Sequence, residues 1–224
     1  MTETLLIKDN GEPLVDLKEY PFVLEPMYFK WGLSPLSKMY LRKGVADRLL
    51  AIQKTLGGLR FKIWDAWRPR DVQSAVYKKF WNEIHKKEPD WTDAEIKEEV
   101  ETYVASPDTP LPGHLTGGAI DLTLVDTMGK ELDMGTGFDH FAPEASPLFF
   151  ASEGKRPPHE RNPGSSHGEV EQIIKNRKIL LDAMENAEFR VYPSEWWHFD
   201  YGTERWAREL GKPYALYNEA HLPA

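Results

Sequence analysis

The 224-residue sequence has no cysteine, no excess of positive charge and no hydrophobic run long enough to cross a bilayer. Without cysteine the chain forms no disulfide, which fits a reducing compartment, and any transition metal has to be bound by His, Asp or Glu. A net charge of −8 argues against nucleic acid or an anionic membrane as a partner, because both need a basic face. The first ten residues lack the charged and then apolar pattern of a leader, so we expect a cytoplasmic protein.

Length and composition indicate one globular domain with one sizeable core, at 41% hydrophobic and 29% charged residues. Residues 1–33 are expected to be an irregular lead-in. Residues 131–168, rich in Pro and Gly, are expected to be a long loop that serves as a lid. The hydrophobic periodicity predicts helices at about 35–56, 71–87, 92–104 and from 166 onward, and strands at 59–66, 119–125, 189–192 and 196–201. This mixture predicts a single α+β domain.

Local signals support three of the predicted helix starts. Thr92 and Glu95 are spaced as a capping box, in which each side chain bonds the backbone N–H near the other, and so are Ser166 and Glu169. Ser34 followed by proline favours a third start, with Ser34 as the N-cap.

The stretch Pro112-Gly113-His114-Leu115-Thr116-Gly117-Gly118-Ala119-Ile120-Asp121 combines a histidine, a glycine pair and an aspartate that opens an apolar run. Seven residues separate His114 from Asp121, which is awkward for one helical face. A turn at the glycine pair would let both side chains enter one pocket. Taken alone, both could equally be polar residues with separate hydrogen-bonding duties.

A second polar cluster, Glu195-Trp196-Trp197-His198, follows about 75 residues later. Glu195 and His198 would share a helical face, but in an extended segment they would point to opposite faces unless a turn intervenes. Two imidazoles, one carboxylate ligand and one spare carboxylate are the minimum inventory of a catalytic zinc site. The alternative is a strand edge with both tryptophans in the core and the polar pair in solvent.

Two further residues could act on a substrate. Arg68 lies just past a predicted strand and could hydrogen-bond an oxyanion or a substrate carboxylate, or form a structural ion pair with Asp65. Asp139, in a glycine-rich segment, could bind a substrate ammonium group or cap a turn.

With these clusters in place, the sequence resembles the D-alanyl-D-alanine dipeptidases, the VanX-like branch of the zinc D,D-peptidases. The pattern His-x-x-Gly-x-Ala-x-Asp is matched by 114–121 and Glu-x-x-His by 195–198. Trp-Asp-x-x-Arg-Pro is matched by 64–69 and Met-Gly-x-x-Phe-Asp by 134–139. The likeness runs in the same order from about residue 35 to about residue 200.

The resemblance implies one Zn²⁺ bound by His114, Asp121 and His198, with Glu195 as general base and acid. Arg68 would stabilise the tetrahedral intermediate and Asp139 would help to hold the free amine of the substrate. It also implies a central antiparallel sheet flanked by helices, and hydrolysis of D-alanyl-D-alanine or a similar small dipeptide.

Two alternatives stay open. One is a D,D- or L,D-carboxypeptidase acting on longer peptidoglycan peptides, and the other is a zinc-binding module of the same fold without catalysis. Glu195 and Arg68 argue against the second alternative, because a pure binding module needs neither a base nor an oxyanion donor.

Overall fold

The computed structural model describes residues 5–153 and 167–222. The described part contains nine strands and seven α-helices in an α+β arrangement, which confirms the predicted fold class. The strands are β1 (Leu6–Ile7), β2 (Leu14–Asp16), β3 (Val23–Leu24), β4 (Tyr40–Arg42), β5 (Arg60–Asp65), β6 (Ala119–Val125), β7 (Arg190–Tyr192), β8 (Glu195–Asp200) and β9 (Tyr214–Ala215). The helices are α1 (Met27–Lys30), α2 (Lys43–Gln53), α3 (Arg70–Lys87), α4 (Asp93–Tyr103), α5 (Phe149–Glu153), α6 (His167–Glu185) and α7 (Glu204–Glu209).

A five-stranded sheet in the order β3-β5-β6-β8-β7 forms the centre of the fold. Its strands pair antiparallel except for the edge strand β3, which runs parallel to β5, so the predicted antiparallel sheet is right for four of its five strands. Two short pairs, β2 with β4 and β1 with β9, lie outside it. All seven residues of β6 are buried, as its near-continuous apolar run predicts for an interior strand.

The buried side chains form two clusters. The larger one packs α2, α6 and the indoles of β8 around the central sheet. The smaller one lies under the α3–α4 pair, where Val76, Phe80, Ile96 and Val100 are buried against Tyr28. Thr92 and Glu95 form the predicted capping box, which begins α4. The α3–α4 pair thus packs on a small core of its own, next to the end of β5.

The predicted start of the first helix, at about residue 35, was wrong. Tyr40 does not belong to a helical stripe that begins after Ser34; it opens β4, which pairs with β2, and α2 begins only at Lys43. The apolar residues have helical spacing here, but the pairing of 40–42 with 14–16, a contact between distant parts of the chain, overrides that local pattern. The lead-in also contributes three short strands and α1.

The predicted loop at 131–168 falls partly outside the described residues. Its described portion contains a 3₁₀ turn, Pro143–Ala145, and α5. Residues 154–166, which include the Ser166 capping-box position, lie outside. Among the described residues, no helix is both long and apolar enough to cross a membrane.

Candidate active site

Three side chains from two strands and one turn meet at the end of the central sheet. His114 lies in the 3₁₀ turn Gly113–Thr116, which Gly117 ends with a φ of +71°, a conformation that glycine adopts without strain. Asp121 is the third residue of β6, directly opposite His198 on β8. The glycine turn therefore folds His114 back over the strand that carries Asp121, which is the arrangement that the glycine pair predicts.

Hydrogen bonds fix which nitrogen of each imidazole faces the site. Nδ1 of His114 lies 2.6 Å from the carbonyl oxygen of Ala66, and Nε2 of His198 lies 3.1 Å from Oδ2 of Asp200. Each of these nitrogens is assigned as the N–H donor, since its partner can only accept. This leaves Nε2 of His114 and Nδ1 of His198, which lie 3.1 Å apart, as the two ring nitrogens that face the site.

This donor set fits a divalent zinc ion. Asp121 adds its carboxylate, with Oδ1 2.9 Å from His198 Nδ1 and Oδ2 3.3 Å from His114 Nε2. Tetrahedral zinc with bonds of 2.0–2.1 Å separates its ligand atoms by about 3.3 Å, close to these distances. A proton on Nδ1 of His198 would bond Oδ1 of Asp121, and a divalent cation in its place would be bound by both ring nitrogens and the carboxylate at once. One position is left for water or substrate, as in catalytic zinc sites.

The local charge also favours a cation. Burial lowers the pKa of His198, but the carboxylates of Asp200 and Asp121 outweigh it and raise this pKa to about 10. Burial alone would raise the pKa of Asp121, but the two imidazoles hold it well below its ordinary value. Positive charge is therefore stabilised at the point where the three side chains meet.

Glu195 stands beside the three candidate ligands without joining them. Its Oε2 lies 3.9 Å from Nδ1 of His198, and only 6% of the residue is exposed. Burial raises the pKa of its carboxyl well above the ordinary value. The pairing of β7 with β8 slips here, because Val191 faces Phe199 while the next residue, Tyr192, faces Glu195. This irregularity lets Glu195 and His198 enter one pocket from a strand.

Arg68 forms the structural ion pair that the sequence left open, while its role toward a substrate stays a prediction. Its Nε donates to Oδ2 of Asp65 at 2.8 Å and a terminal nitrogen donates to Gln73 at 3.0 Å, so it is part of a buried ion pair. The other terminal nitrogen lies 2.8 Å from the same Oδ2 of Asp65, and it reaches the Tyr28 hydroxyl at 3.4 Å and Oδ2 of Asp121 at 3.5 Å. That nitrogen faces the site and keeps donor capacity for a substrate oxygen.

Asp139 lies in the wall of the same pocket, with a positive φ of 55° that aspartate tolerates better than most residues. The hydroxyl of Tyr28 donates to its Oδ2 at 3.0 Å. Burial and the nearby charge of Asp121 raise the pKa of Asp139 to about 8. A cation that arrives beside this carboxyl would restore its ionised form.

These residues line one cavity of about 350 Å³, at the small end of the range for ligand sites. The lining residues that were not predicted from the sequence include Tyr28, Gln73, Asp200 and Arg205. Of these, Asp200 carried a usable signal, since it lies two residues after His198 and a strand places such residues on one face. Nothing local marks Tyr28, which reaches Asp139 across 111 positions of sequence.

Comparisons with known proteins show what the chain is similar to. The family model described as D-ala-D-ala dipeptidase matches residues 33–218. A D-alanyl-D-alanine dipeptidase of Synechocystis is 29% identical, covering 96% of this chain and 89% of the relative. A D-alanyl-D-alanine dipeptidase of Escherichia coli is 31% identical, covering 69% of this chain and 64% of the relative. A vancomycin-resistance D,D-pentapeptidase solved with Zn(II) aligns at a TM-score of 0.46 and 17% identity, covering 92% and 91% of the two chains.

Proposed function

The chain belongs to the D-ala-D-ala dipeptidase family, and we propose that it hydrolyses D-alanyl-D-alanine with one zinc ion held by His114, Asp121 and His198. This membership confirms the resemblance expected from the sequence motifs. The observation that carries the proposal is the meeting of two imidazole nitrogens and one carboxylate in a small cavity beside a buried glutamate.

Zinc, when bound, supplies Lewis acidity that lowers the pKa of water and polarises a peptide carbonyl. Oε2 of Glu195 lies close to the candidate ligand His198, so it can accept a proton from a water molecule in the cavity. Glu195 would then pass that proton to the nitrogen of the leaving amine. Burial keeps the proton affinity of its carboxyl high, which suits a group that has to accept a proton and then release it.

Arg68 is proposed to donate to the oxygen that becomes negative when the carbonyl carbon turns tetrahedral. The ion pair with Asp65 and the bond to Gln73 hold the guanidinium in place, and the terminal nitrogen that pairs with Asp65 has a second N–H to offer toward the cavity. Such a fixed donor stabilises the transition state more than the substrate, because charge on that oxygen appears only during the reaction.

Asp139 is proposed to hold the free ammonium group of the dipeptide, with the Tyr28 hydroxyl fixing the orientation of its carboxylate. An ammonium at this point would offset the burial that raises the pKa of Asp139. A cavity of about 350 Å³ with a carboxylate in its wall suits a short substrate with a free amine better than a long acylated peptide.

The test is metal analysis of the purified protein together with a substrate panel. We expect about one zinc per chain, chelator-sensitive cleavage of D-Ala-D-Ala, and little cleavage of L-Ala-L-Ala or of N-acetylated D-Ala-D-Ala. Faster cleavage of a D-Ala-D-Ala-terminated pentapeptide than of the dipeptide would favour the carboxypeptidase alternative. Zinc binding without hydrolysis of any panel member would favour the non-catalytic module.

Action on a free dipeptide in the cytoplasm, without nucleic acid or membrane as a partner, stays a prediction. It is supported by the net charge of −8 and by the lack of cysteine. Fractionation of cells that express the tagged natural chain would test the location.

A further inference from the structure

A buried carboxylate stands directly behind one of the three ligands. Asp200 ends β8 two residues after His198, so both side chains project from the same face of the strand. It is 2% exposed, and its Oδ2 accepts the N–H at Nε2 of His198 at 3.1 Å. We infer that Asp200, locked by Arg205, is a positioning residue that holds His198 with its Nδ1 lone pair toward the metal; the inference rests on the proposed zinc site.

Arg205 fixes the carboxylate from the other side. Its Nε lies 2.7 Å from Oδ2 of Asp200, and a terminal nitrogen lies 2.5 Å from the same oxygen. The guanidinium also donates to the carbonyl oxygens of Val191 at 3.0 Å and Arg190 at 2.6 Å, both on β7. The carboxylate is thereby tied to the backbone of the neighbouring strand and cannot turn away from the imidazole.

The turn that carries the other histidine is built around the same carboxylate. A Cβ atom added to Gly113 would come within 2.7 Å of Oδ1 of Asp200 and 3.1 Å of Cβ of Ala119. Only glycine fits at this position next to His114 while Asp200 keeps its place. One carboxylate thus sets the orientation of His198 and limits the backbone beside His114.

The two histidines differ in what stands behind them. Nδ1 of His114 donates to the neutral carbonyl oxygen of Ala66 at 2.6 Å, with Oδ2 of Asp65 farther away at 3.3 Å. His198, by contrast, has an ionised carboxylate as the direct acceptor of its N–H. A carboxylate acceptor increases the basicity of the opposite ring nitrogen and fixes the tautomer more strongly than a carbonyl does. His198 is therefore expected to be the ligand whose strength depends most on its support.

The experiment measures zinc affinity without substrate, by competition with a chromophoric chelator. Asp200→Asn preserves shape but removes the charge, and we expect zinc to bind about 10- to 100-fold more weakly. Arg205→Gln should weaken binding in the same direction by less. Asp126→Asn is the matched control, since the Asp126 side chain only accepts the backbone N–H groups of Met128 and Lys130 in an exposed turn. This control variant should bind zinc as tightly as the wild type.

Cobalt substitution adds a readout that a merely structural role would not move. The visible absorption of Co²⁺ should shift in Asp200→Asn but not in Asp126→Asn, because the ligand field changes with the His198 ring. Wild-type zinc affinity together with an unchanged cobalt spectrum in Asp200→Asn would overturn the inference. If that variant fails to fold, wild-type affinity in Arg205→Gln would overturn it instead.

These outcomes separate the positioning role from the proposed reaction. If the wild type binds zinc but cleaves no D-dipeptide, the substrate assignment fails, and a weakened affinity in Asp200→Asn still supports the positioning role. If the wild type binds no zinc, both fail.

Discussion

Replacing Glu195 by glutamine tests the reaction most directly, because the amide has the same shape as the carboxyl but cannot take a proton. Glu195 lies 3.9 Å from the ligand nitrogen of His198 and outside the set of three ligands. We therefore expect Glu195→Gln to keep its zinc and to lose turnover. General acid–base catalysis contributes about 10²–10⁴ in rate, or roughly 3–5 kcal/mol of barrier.

The same substitution has a second consequence for the zinc-free protein. Burial raises the pKa of Glu195 well above its ordinary 4.5, so between these values the native state binds more protons than the unfolded state. The free energy of unfolding therefore falls as pH rises through about 4.5 and above. Glutamine does not titrate, so the variant does not lose free energy of unfolding in this way as the pH rises. Zinc-free Glu195→Gln should be more stable than the zinc-free wild type at pH 7, with the difference vanishing below pH 4.5.

The assays are steady-state turnover of D-Ala-D-Ala, zinc content by atomic emission, and urea unfolding in chelator at pH 4 and pH 7. Glu98→Gln, on the exposed face of α4, is the matched control and should change none of the three. Turnover within tenfold of the wild type would remove Glu195 from the mechanism. If unfolding of the wild type and of the variant depends on pH in the same way, the carboxyl of Glu195 does not have a raised pKa in the zinc-free protein, and the reasoning is refuted.

Four further substitutions extend the test. Asp139→Asn should raise KM for D-Ala-D-Ala more than it lowers kcat, and an unchanged KM would exclude an ammonium contact. Arg68→Lys loses the fork that Asp65 holds, so kcat should fall by roughly 10²–10³ with zinc content unchanged; normal kcat would leave Arg68 a structural role only. Thr123→Val replaces a buried hydroxyl without a hydrogen-bond partner in the described structure, and urea unfolding should show a gain of about 1 kcal/mol. Thr116→Val, whose hydroxyl bonds Gly113 and Gly118, should lose stability, and equal effects at both positions would contradict the reasoning.

Features that depend on near neighbours in the chain were predictable. The capping box at Thr92 begins α4, the continuous apolar run of β6 is buried, and the glycine turn places His114 over Asp121. These outcomes follow from backbone geometry within a few residues, where hydrogen-bond partners and side-chain periods are set by sequence spacing alone. The residue types of the candidate metal ligands were also predictable, because a chain without cysteine can bind a transition metal only through His, Asp or Glu.

Contacts between distant segments were decided only by the tertiary structure. The strand at Tyr40 exists because 14–16 pairs with it, and the Tyr28 hydroxyl meets Asp139 across 111 positions. Which nitrogen of each histidine faces the metal depends on the acceptor behind the ring, and for His114 that acceptor is a backbone carbonyl 48 residues away. Sequence spacing carries no information on such partners, because only the folded sheet brings them within hydrogen-bonding distance.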